Sequence, residues 1–331
     1  MVLLCGTRGA VGGSLRAPTA RMTEQQQLVV VGLDGVLVDS EPATTRSAWL
    51  AAQCLWPEIM EAATEVSARQ AGVRKAWVGG DFSRLTGVEE SGMPTWLAAK
   101  LRQLRPSCRD GGYEAVLFAR LCAEEALAAS KGSRGARPLS VGEIELGWED
   151  GLRGVLMARY QAEKAELVAA HEEAEERWWS EDPEGWHDAN RWYGGAAEAV
   201  RRCGGNEQAG GGSKLVLLSR RPPRVSRRLL ERAGAAGGVE VLAQEEWEGP
   251  TKAGALAALR RAHPDAPISF VDDSARTLLS CAADARLLPV ALHFASYGYS
   301  SASQAARIGV VPRMRVLARS EDLSDVICSD K

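Results

Sequence analysis

The pattern of hydrophobic and polar positions divides the chain into three parts. Residues 28–33 are a short apolar run, which predicts a buried β-strand. From residue 41 to about 190, apolar positions recur at helical spacing with almost no alternation. From residue 214, short apolar runs alternate with helical segments. This last rhythm predicts a doubly wound α/β fold, a parallel sheet with helices on both faces.

The C-terminal part predicts most of that sheet. The predicted strands lie in KLVLLS, GVEVLA, PISFV, RLLPVALHF and RMRVLA, and the predicted helices in RRPPRVSRRLLERAG, PTKAGALAALRRAH and ARTLLSCAAD. The first strand has no partner nearby in sequence, so we expect it to join the same sheet. This predicts an α/β core made of residues 27–40 and 191–331, with an inserted helical cap at residues 41–190.

Two features subdivide the helical region and its exit. Leu152, Leu156 and Tyr160 repeat at spacings of four, and charged residues continue to Arg177, which predicts one long helix. The run EKAELVAAHEEAEER is interpreted as the solvated face of that helix. The linker SKGSRGARP precedes it, and GGNEQAGGGS is predicted to be a flexible surface insertion before the second strand.

Composition and charge exclude several classes of function. The chain has 331 residues, 45% hydrophobic and 25% charged, with a net charge of −3. These values are typical of a globular protein, and they give no reason to expect a nucleic-acid surface. No apolar run is long enough to span a bilayer, so no membrane partner is expected. The 7 cysteines are scattered and never form C-x-x-C, which favours a reducing compartment over a zinc site.

The first residues differ from the rest of the chain. Residues 1–26 contain Arg8, Arg16 and Arg21 and no acidic residue before Glu24, a composition typical of an organelle transit peptide. The alternatives are an untargeted disordered tail, or a true start at Met22. Targeting would place the protein in an organelle. Without it, a cytoplasmic location is expected.

Four chemically suitable positions lie where predicted strands or helices end. Asp34 follows the first strand, Ser219 closes KLVLLS, Lys252 opens a helix, and Asp272 and Asp273 close ISFV. Ligands of such sheets bind at the carboxyl ends of the strands. A hydroxyl, an ammonium group and carboxylates there suit a phosphate with Mg²⁺. Taken singly, Ser219 could be a helix cap and Lys252 a surface lysine. Their order and placement together favour a site.

The same residues carry a resemblance to a known family. LDGVLVDSEP, Ser219, Lys252 and FVDDS resemble the four motifs of the haloacid-dehalogenase-like (HAD) hydrolase superfamily. The helical insertion is similar to the cap of its first cap class. RPSCRDGGYEAVLFARL, WHDANRWYGGAAEAV, YGYSSASQAARIGVVPRMRVL and the position of GPTK resemble a plant and algal plastid branch. The resemblance covers roughly residues 28–325.

The resemblance implies a two-step, Mg²⁺-dependent phosphoester hydrolysis. A first-motif aspartate attacks phosphorus, and a second, two residues later, protonates the leaving group and then activates water. Carried over, Asp34 is the acid/base and its carbonyl is a metal ligand. Asp273 is the other ligand, with Asp272 close by.

The resemblance also assigns the phosphate and the nucleophile. Ser219 with Arg220 beside it, and Lys252, would hold the phosphoryl oxygens of a small phosphorylated molecule. The nucleophile position is Gly32. Glycine cannot attack, and loss of one member of a catalytic unit costs about 10⁴ to 10⁶ in rate. An error in the sequence is one alternative explanation.

Three functions remain open at this point. The first is an impaired Mg²⁺-dependent phosphatase, in which weak Mg²⁺ binding is expected. The second is an inactive relative that binds a phosphorylated ligand or a protein partner. The third is an α/β protein without a ligand.

Several polar and aromatic residues lie near the predicted exit from the cap, and four histidines are spread along the chain. Arg191 is predicted to contact an anion from the cap side. The tryptophans near the cap exit are interpreted as packing between cap and core, and the histidines as structural or surface residues. These residues are Trp178, Trp179, Trp186, Trp192, His171, His187, His263 and His293.

Overall fold

A computed structural model describes residues 27–69, 87–89, 91–108, 110–131, 137–205 and 213–328. The predicted transit peptide with Met22 lies outside these residues. So do the middle of the SKGSRGARP linker and most of the Gly-rich insertion before residue 213.

The central sheet has six parallel strands in the order β5-β4-β1-β6-β7-β8. The strands are β1 (Leu28–Val31), β4 (Lys214–Ser219), β5 (Val239–Ala243), β6 (Ile268–Asp272), β7 (Ala291–Ala295) and β8 (Met314–Leu317). Leu28 lies opposite both Lys214 and Ile268, so β1 pairs with β4 on one side and β6 on the other. The predicted pairing of the first strand is therefore confirmed. The strand predicted over RLLPVALHF is shorter and begins only at Ala291.

A helical insertion separates β1 from β4. Its described helices are α1 (Glu41–Leu55), α2 (Pro57–Arg69), α3 (Thr95–Leu104), α4 (Tyr113–Ser130), α5 (Val141–Glu149), α6 (Leu152–Tyr160), α7 (Lys164–Glu181) and α8 (Pro183–Asp188). Six more follow: α9 (Ala196–Gly205), α10 (Pro223–Arg232), α11 (Lys252–Ala262), α12 (Ala275–Ala283), α13 (Ala302–Gly309) and α14 (Leu323–Ile327). Among the described helices, none is both long and apolar enough to cross a membrane.

Helices cover both faces of the sheet, and successive side chains of β1 pack against opposite layers. Val29 and Val31 pack in one cluster with α9, α10 and α14. Leu28 and Val30 point the other way and pack with α11, α12 and α13. Successive side chains of a strand face opposite sides, so a strand apolar at every position is buried on both. The predicted doubly wound fold is confirmed.

A two-stranded antiparallel ribbon carries both connections between the sheet and the insertion. Its strands are β2 (Val38–Asp39) and β3 (Arg191–Trp192), with Val38 opposite Trp192 and Asp39 opposite Arg191. The sequence did not predict this ribbon, because two residues are too few to show alternation. We call it the hinge ribbon.

Most of the insertion has its own apolar core, but its C-terminal end packs on the sheet. One cluster joins residues from Ala48 to Ala174 across α1 to α7. Trp178 and Trp186 instead belong to the cluster that covers one face of the sheet. The interpretation of these tryptophans as packing residues is confirmed. The division at residue 190 stays a prediction.

The prediction of one long helix from Leu152 to Arg177 is wrong. The segment forms two helices, α6 and α7, separated at Gln161. Gln161 has φ 51° and ψ 39°, a left-handed conformation that ends a helix. Spacing alone missed the break, because the apolar repeat of α6 ends where the charged run of α7 begins.

The buried His293 on β7 predicts a pH-dependent stability. Burial, reinforced by Arg315, lowers the pKa of His293 from 6.5 to about 4. Between these values the unfolded chain binds the proton and the folded chain does not, so the free energy of unfolding falls as the pH falls. The loss is at most about 3 kcal/mol, at 1.36 kcal/mol per pKa unit.

Urea unfolding of the parent and of His293→Leu, between about pH 7 and pH 4, tests this expectation. The variant should lose part of the acid sensitivity. If the free energy of unfolding of His293→Leu depends on pH as steeply as that of the parent, other groups cause the acid sensitivity.

Candidate active site

The carboxyl ends of three adjacent strands meet at one cavity. β4, β1 and β6 are neighbours in the sheet, so the residues that follow them converge. The cavity has a volume of about 510 Å³. Of the predicted site residues, it is lined by Asp34, Ser219, Arg220, Lys252, Asp272 and Asp273.

A buried ion pair forms the floor of the site. Lys252 is the first residue of α11, whose start is capped by the Thr251 hydroxyl. Its Nζ lies 2.6 Å from Oδ2 of Asp272, a fully buried carboxylate at the end of β6. The other oxygen of Asp272 accepts a hydrogen bond of 2.9 Å from the Ser274 amide. Asp272 therefore orients Lys252 toward the cavity.

Asp273 carries the negative charge that the neighbouring residues compensate least. Burial, followed by repulsion from Asp272, raises the pKa of Asp273 to about 7. Its Oδ2 accepts a hydrogen bond of 3.0 Å from the Tyr299 amide. Gly35 and Gly298 leave room for this carboxylate, since a Cβ on either would lie within 3.1 Å of Oδ2.

Asp34 is held as a carboxylate. Burial would raise its pKa, but Arg221, then Arg105, the Ser40 hydroxyl and Lys252, lower it overall. Arg221 Nε lies 3.4 Å from Asp34 Oδ1. A carboxylate with a lowered pKa is ionised at neutral pH, which suits a general base better than a general acid.

The turn after β4 supplies a hydroxyl and two arginines. Ser219 Oγ is nearly buried and accepts a hydrogen bond of 3.1 Å from the Arg221 amide. This bond leaves the Ser219 hydroxyl hydrogen free to donate to a ligand. Arg220 lines the cavity and is also 3.2 Å from Asp110 of the helical insertion. The predicted phosphate ligand Arg220 thus also links the insertion to the core.

Arg221 connects the site to α7. Its guanidinium is 3.1 Å from Glu175 and donates a hydrogen bond of 2.9 Å to Asn190. Glu175 is 5% exposed. The prediction that the acidic run is a solvated face is therefore wrong for this residue, because Arg221 and the Trp186 indole N–H bind its carboxylate inside the protein.

Gly32 lies in the position from which a side chain would enter the site. A Cβ built there would be 3.1 Å from Asp272 Oδ2 and 3.5 Å from Lys252 Nζ. Gly32 is not among the positive-φ glycines, so its backbone accepts an L side chain. Val36 Cγ2, at 3.2 Å, would have to move slightly.

Sequence reasoning missed Arg105 and Tyr299, which also line the cavity. Arg105 follows α3, and its guanidinium carbon lies 4.4 Å from the centre of the Tyr299 ring. Both residues occur in the runs that carry the plastid resemblance, RPSCRDGGYEAVLFARL and YGYSSASQAARIGVVPRMRVL. That was the only signal for them.

Arg191 is not brought to this cavity. It is exposed on β3, where Nε donates a 3.0 Å hydrogen bond to the Asp188 carbonyl, and it lines a separate cavity with His187. Its hydrogen bond to the Asp188 carbonyl holds the side chain at that separate cavity. Of the other histidines, His171 is buried against a neighbouring cavity that also includes Asp34.

The carboxylates present fit a weakly held Mg²⁺. In the part of the chain that the structure describes, no three His, Cys, Asp or Glu side chains form a metal cluster. Mg²⁺ needs only one or two carboxylates when water and phosphate oxygens complete its shell. Asp273, with Asp272 beside it, meets this requirement, and a cation there would offset the repulsion that raises the pKa of Asp273.

Comparisons with known proteins support the fold. No protein-family model matches the chain. No curated protein matches it. A solved structure of a predicted phosphoglycolate phosphatase from Haemophilus somnus is 13% identical, with a TM-score of 0.50, covering 92% of this chain and 99% of that one. A predicted phosphatase from Clostridium acetobutylicum is 12% identical, with a TM-score of 0.47, covering 92% and 98%.

The Lys252–Asp272 pair gives a prediction for stability. Lys252→Met leaves a fully buried carboxylate without its cation, which should lower the free energy of unfolding by about 3 kcal/mol. Adding Asp272→Asn should recover part of that loss, because the uncompensated charge is removed.

Urea unfolding measures both effects. Arg261→Gln is the control, since the Arg261–Glu248 pair is exposed and its loss should cost less than about 1 kcal/mol. If Lys252→Met and Arg261→Gln lower the free energy of unfolding equally, the buried pair contributes no more to stability than the exposed one.

Proposed function

We propose that this chain is a HAD-like hydrolase of the phosphatase type that binds a small phosphorylated molecule, and that Gly32 strongly impairs its catalysis. The observation that carries the proposal is the convergence of Ser219, Lys252, Asp273 and Asp34 on one cavity, toward which residue 32 also points. A hydroxyl, an ammonium group and carboxylates in this arrangement suit a phosphate ester better than a neutral ligand.

Each residue has a distinct role in the proposed site. Ser219 donates a hydrogen bond to a phosphoryl oxygen, and Lys252 supplies positive charge to the same group. Asp273, supported by Asp272 and the Asp34 carbonyl, would hold Mg²⁺. When bound, the ion offsets the negative charge of the phosphate. Arg220 contributes further positive charge at the side of the cavity next to Asp110.

Without a carboxylate at residue 32, the aspartyl-phosphate route is closed. Asp34 is ionised and can accept a proton from a water that attacks phosphorus directly. The leaving group then departs without a protonated acid beside it, which slows the reaction further. A rate reduced by about 10⁴ or more is expected.

A protein that binds its ligand without turnover is the second candidate. Gly32 favours it, since the phosphate-holding residues are retained while the attacking group is absent. The two candidates share one ligand class and differ only in whether a slow hydrolysis remains.

We also propose a cellular location and a class of ligand. The Arg-containing, acid-poor N-terminal residues and the plastid-branch resemblance support a plastid location. The net charge of −3 supports a small-molecule ligand over nucleic acid. No membrane partner is proposed, and any protein partner is unknown.

Gly32→Asp should restore phosphatase activity. The new carboxylate would enter beside Lys252 and face the bound phosphate, and hydrolysis of para-nitrophenyl phosphate with Mg²⁺ should rise by at least about 100-fold. A phospho-aspartate should be trapped by acid quenching of the variant but not of the parent.

Gly32→Asn is the matched control, because it has the same size but cannot act as the nucleophile. It should remain as slow as the parent. An ordinary enzymatic rate in the parent would refute the assignment of residue 32 as the lost nucleophile. If neither the parent nor Gly32→Asp turns over, the binding protein is favoured.

Magnesium binding should be weak in the parent and should depend on Asp273. Calorimetric titration should show binding lost in Asp273→Asn and strengthened about tenfold or more in Gly32→Asp, which adds an anionic ligand. Asp265→Asn, an exposed substitution, is the control. Tight binding that survives Asp273→Asn would place the ion elsewhere.

A further inference from the structure

The loop after β7 is hydrogen-bonded both to the turn after β1 and to Asp273. Tyr297 donates a 3.0 Å hydrogen bond to the Val36 carbonyl, in the turn that follows β1. The Tyr299 amide donates to Asp273 Oδ2 at 3.0 Å, and Ser300 Oγ donates to the Asp273 carbonyl at 2.7 Å. The loop therefore holds Asp273 in place by both its side chain and its backbone.

The hydroxyl of Tyr299 reaches the hinge ribbon. It donates a 2.9 Å hydrogen bond to Asp39 Oδ1 and accepts one of 2.6 Å from the Ser40 amide. Asp39 and Ser40 lead directly from β2 into α1, the first helix of the insertion. Tyr299 is thus bonded to an active-site carboxylate and to the start of the helical insertion at once.

The ring of Tyr299 supports a cation that the insertion brings to the site. The Arg105 guanidinium carbon lies 4.4 Å from the ring centre, and Nη1 donates a 3.3 Å hydrogen bond to the Cys108 carbonyl. Arg105 Nε is buried and has no hydrogen-bond partner in the described residues. A buried donor on a cation that lines a cavity indicates an acceptor supplied from outside the chain.

We propose that Arg105 is a specificity-determining residue and that Tyr299 is its positioning residue. The inference rests on the proposed function, because the phosphoryl group is taken to lie at Ser219 and Lys252. Arg105 lines the same cavity and contacts a second anionic group of the ligand, a carboxylate or a second phosphate. The Tyr299 ring fixes the plane of the guanidinium, and its hydroxyl ties this arrangement to the hinge ribbon.

Three probes that share a three-carbon skeleton test the proposal by calorimetry with Mg²⁺. Glycerol 3-phosphate has no second anion, 3-phosphoglycerate has a carboxylate, and 1,3-propanediol bisphosphate has a second phosphate. The parent should bind at least one of the two probes with a second anionic group about tenfold or more tighter than glycerol 3-phosphate. Which probe is preferred identifies the second group.

The variants separate the roles of the two residues. Arg105→Gln should abolish the preference, because it weakens the preferred probe much more than it weakens glycerol 3-phosphate. Tyr299→Leu should remove most of the preference, and Tyr299→Phe, which keeps the ring under Arg105, should retain it. The double variant Arg105→Gln/Tyr299→Leu should be no worse than Arg105→Gln, since the two residues act together.

Tyr297→Leu is the matched control. It truncates a tyrosine of the same loop that does not line the cavity, so the ratio of affinities should not change even where thermal stability falls. A preference that survives Arg105→Gln, or an equal loss in Tyr299→Phe and Tyr299→Leu, would overturn the inference.

The inference and the proposed function fail in different ways. If glycerol 3-phosphate does not bind to the parent at all, the proposed function fails, and this inference fails with it. If glycerol 3-phosphate binds and the parent shows no preference for either probe with a second anionic group, only the inference is overturned.

Discussion

The pairing of β1 with both β4 and β6 is the constraint on which the rest of the structure depends. This short strand contributes only Leu28–Val31, yet it hydrogen-bonds to strands from distant parts of the chain on both of its edges. Closing so long a loop costs entropy, but that cost grows only slowly with loop length, so a sheet tolerates a large insertion. The burial of all four side chains of β1 offsets it.

The pairing of β1 brings several charged side chains together at the carboxyl ends of the strands. These side chains neutralise one another in pairs. Asp272 is neutralised by Lys252, and Asp34 by Arg221, whereas Asp273 remains with a raised pKa. Among the described residues, the site is therefore a set of paired charges in which Asp273 is the one carboxylate without an ion pair. Such an arrangement is costly without a ligand and is typical of functional sites rather than of structural ion pairs.

The insertion contributes to this balance directly. Arg105 follows α3, Asp110 precedes α4 and Glu175 lies within α7, and each contacts a residue at the edge of the sheet. The contacts from Arg105 and Glu175 are largely removed from solvent, so their electrostatic interactions are less screened than surface pairs. The position of the insertion therefore affects which side chains of the site are ionised.

The sequence by itself determined the α/β class, the strands that meet at the site, and six of the side chains that line it. Those predictions rest on periodicity and on the order of polar residues after apolar runs, which are local properties of the chain. It also singled out Gly32, because the resemblance implies a carboxylate at that position.

Only the tertiary structure decided which residues the insertion brings to the sheet. Arg105 and Tyr299 come from distant segments of the chain and meet at the cavity. Arg191, which was predicted to contact an anion, instead lines a separate cavity and is hydrogen-bonded to the Asp188 carbonyl. Glu175 looked like one of many solvated acids until Arg221 and Trp186 were found around it. Contacts between distant segments depend on packing and on backbone breaks such as Gln161, and neither leaves a periodic signal in the sequence.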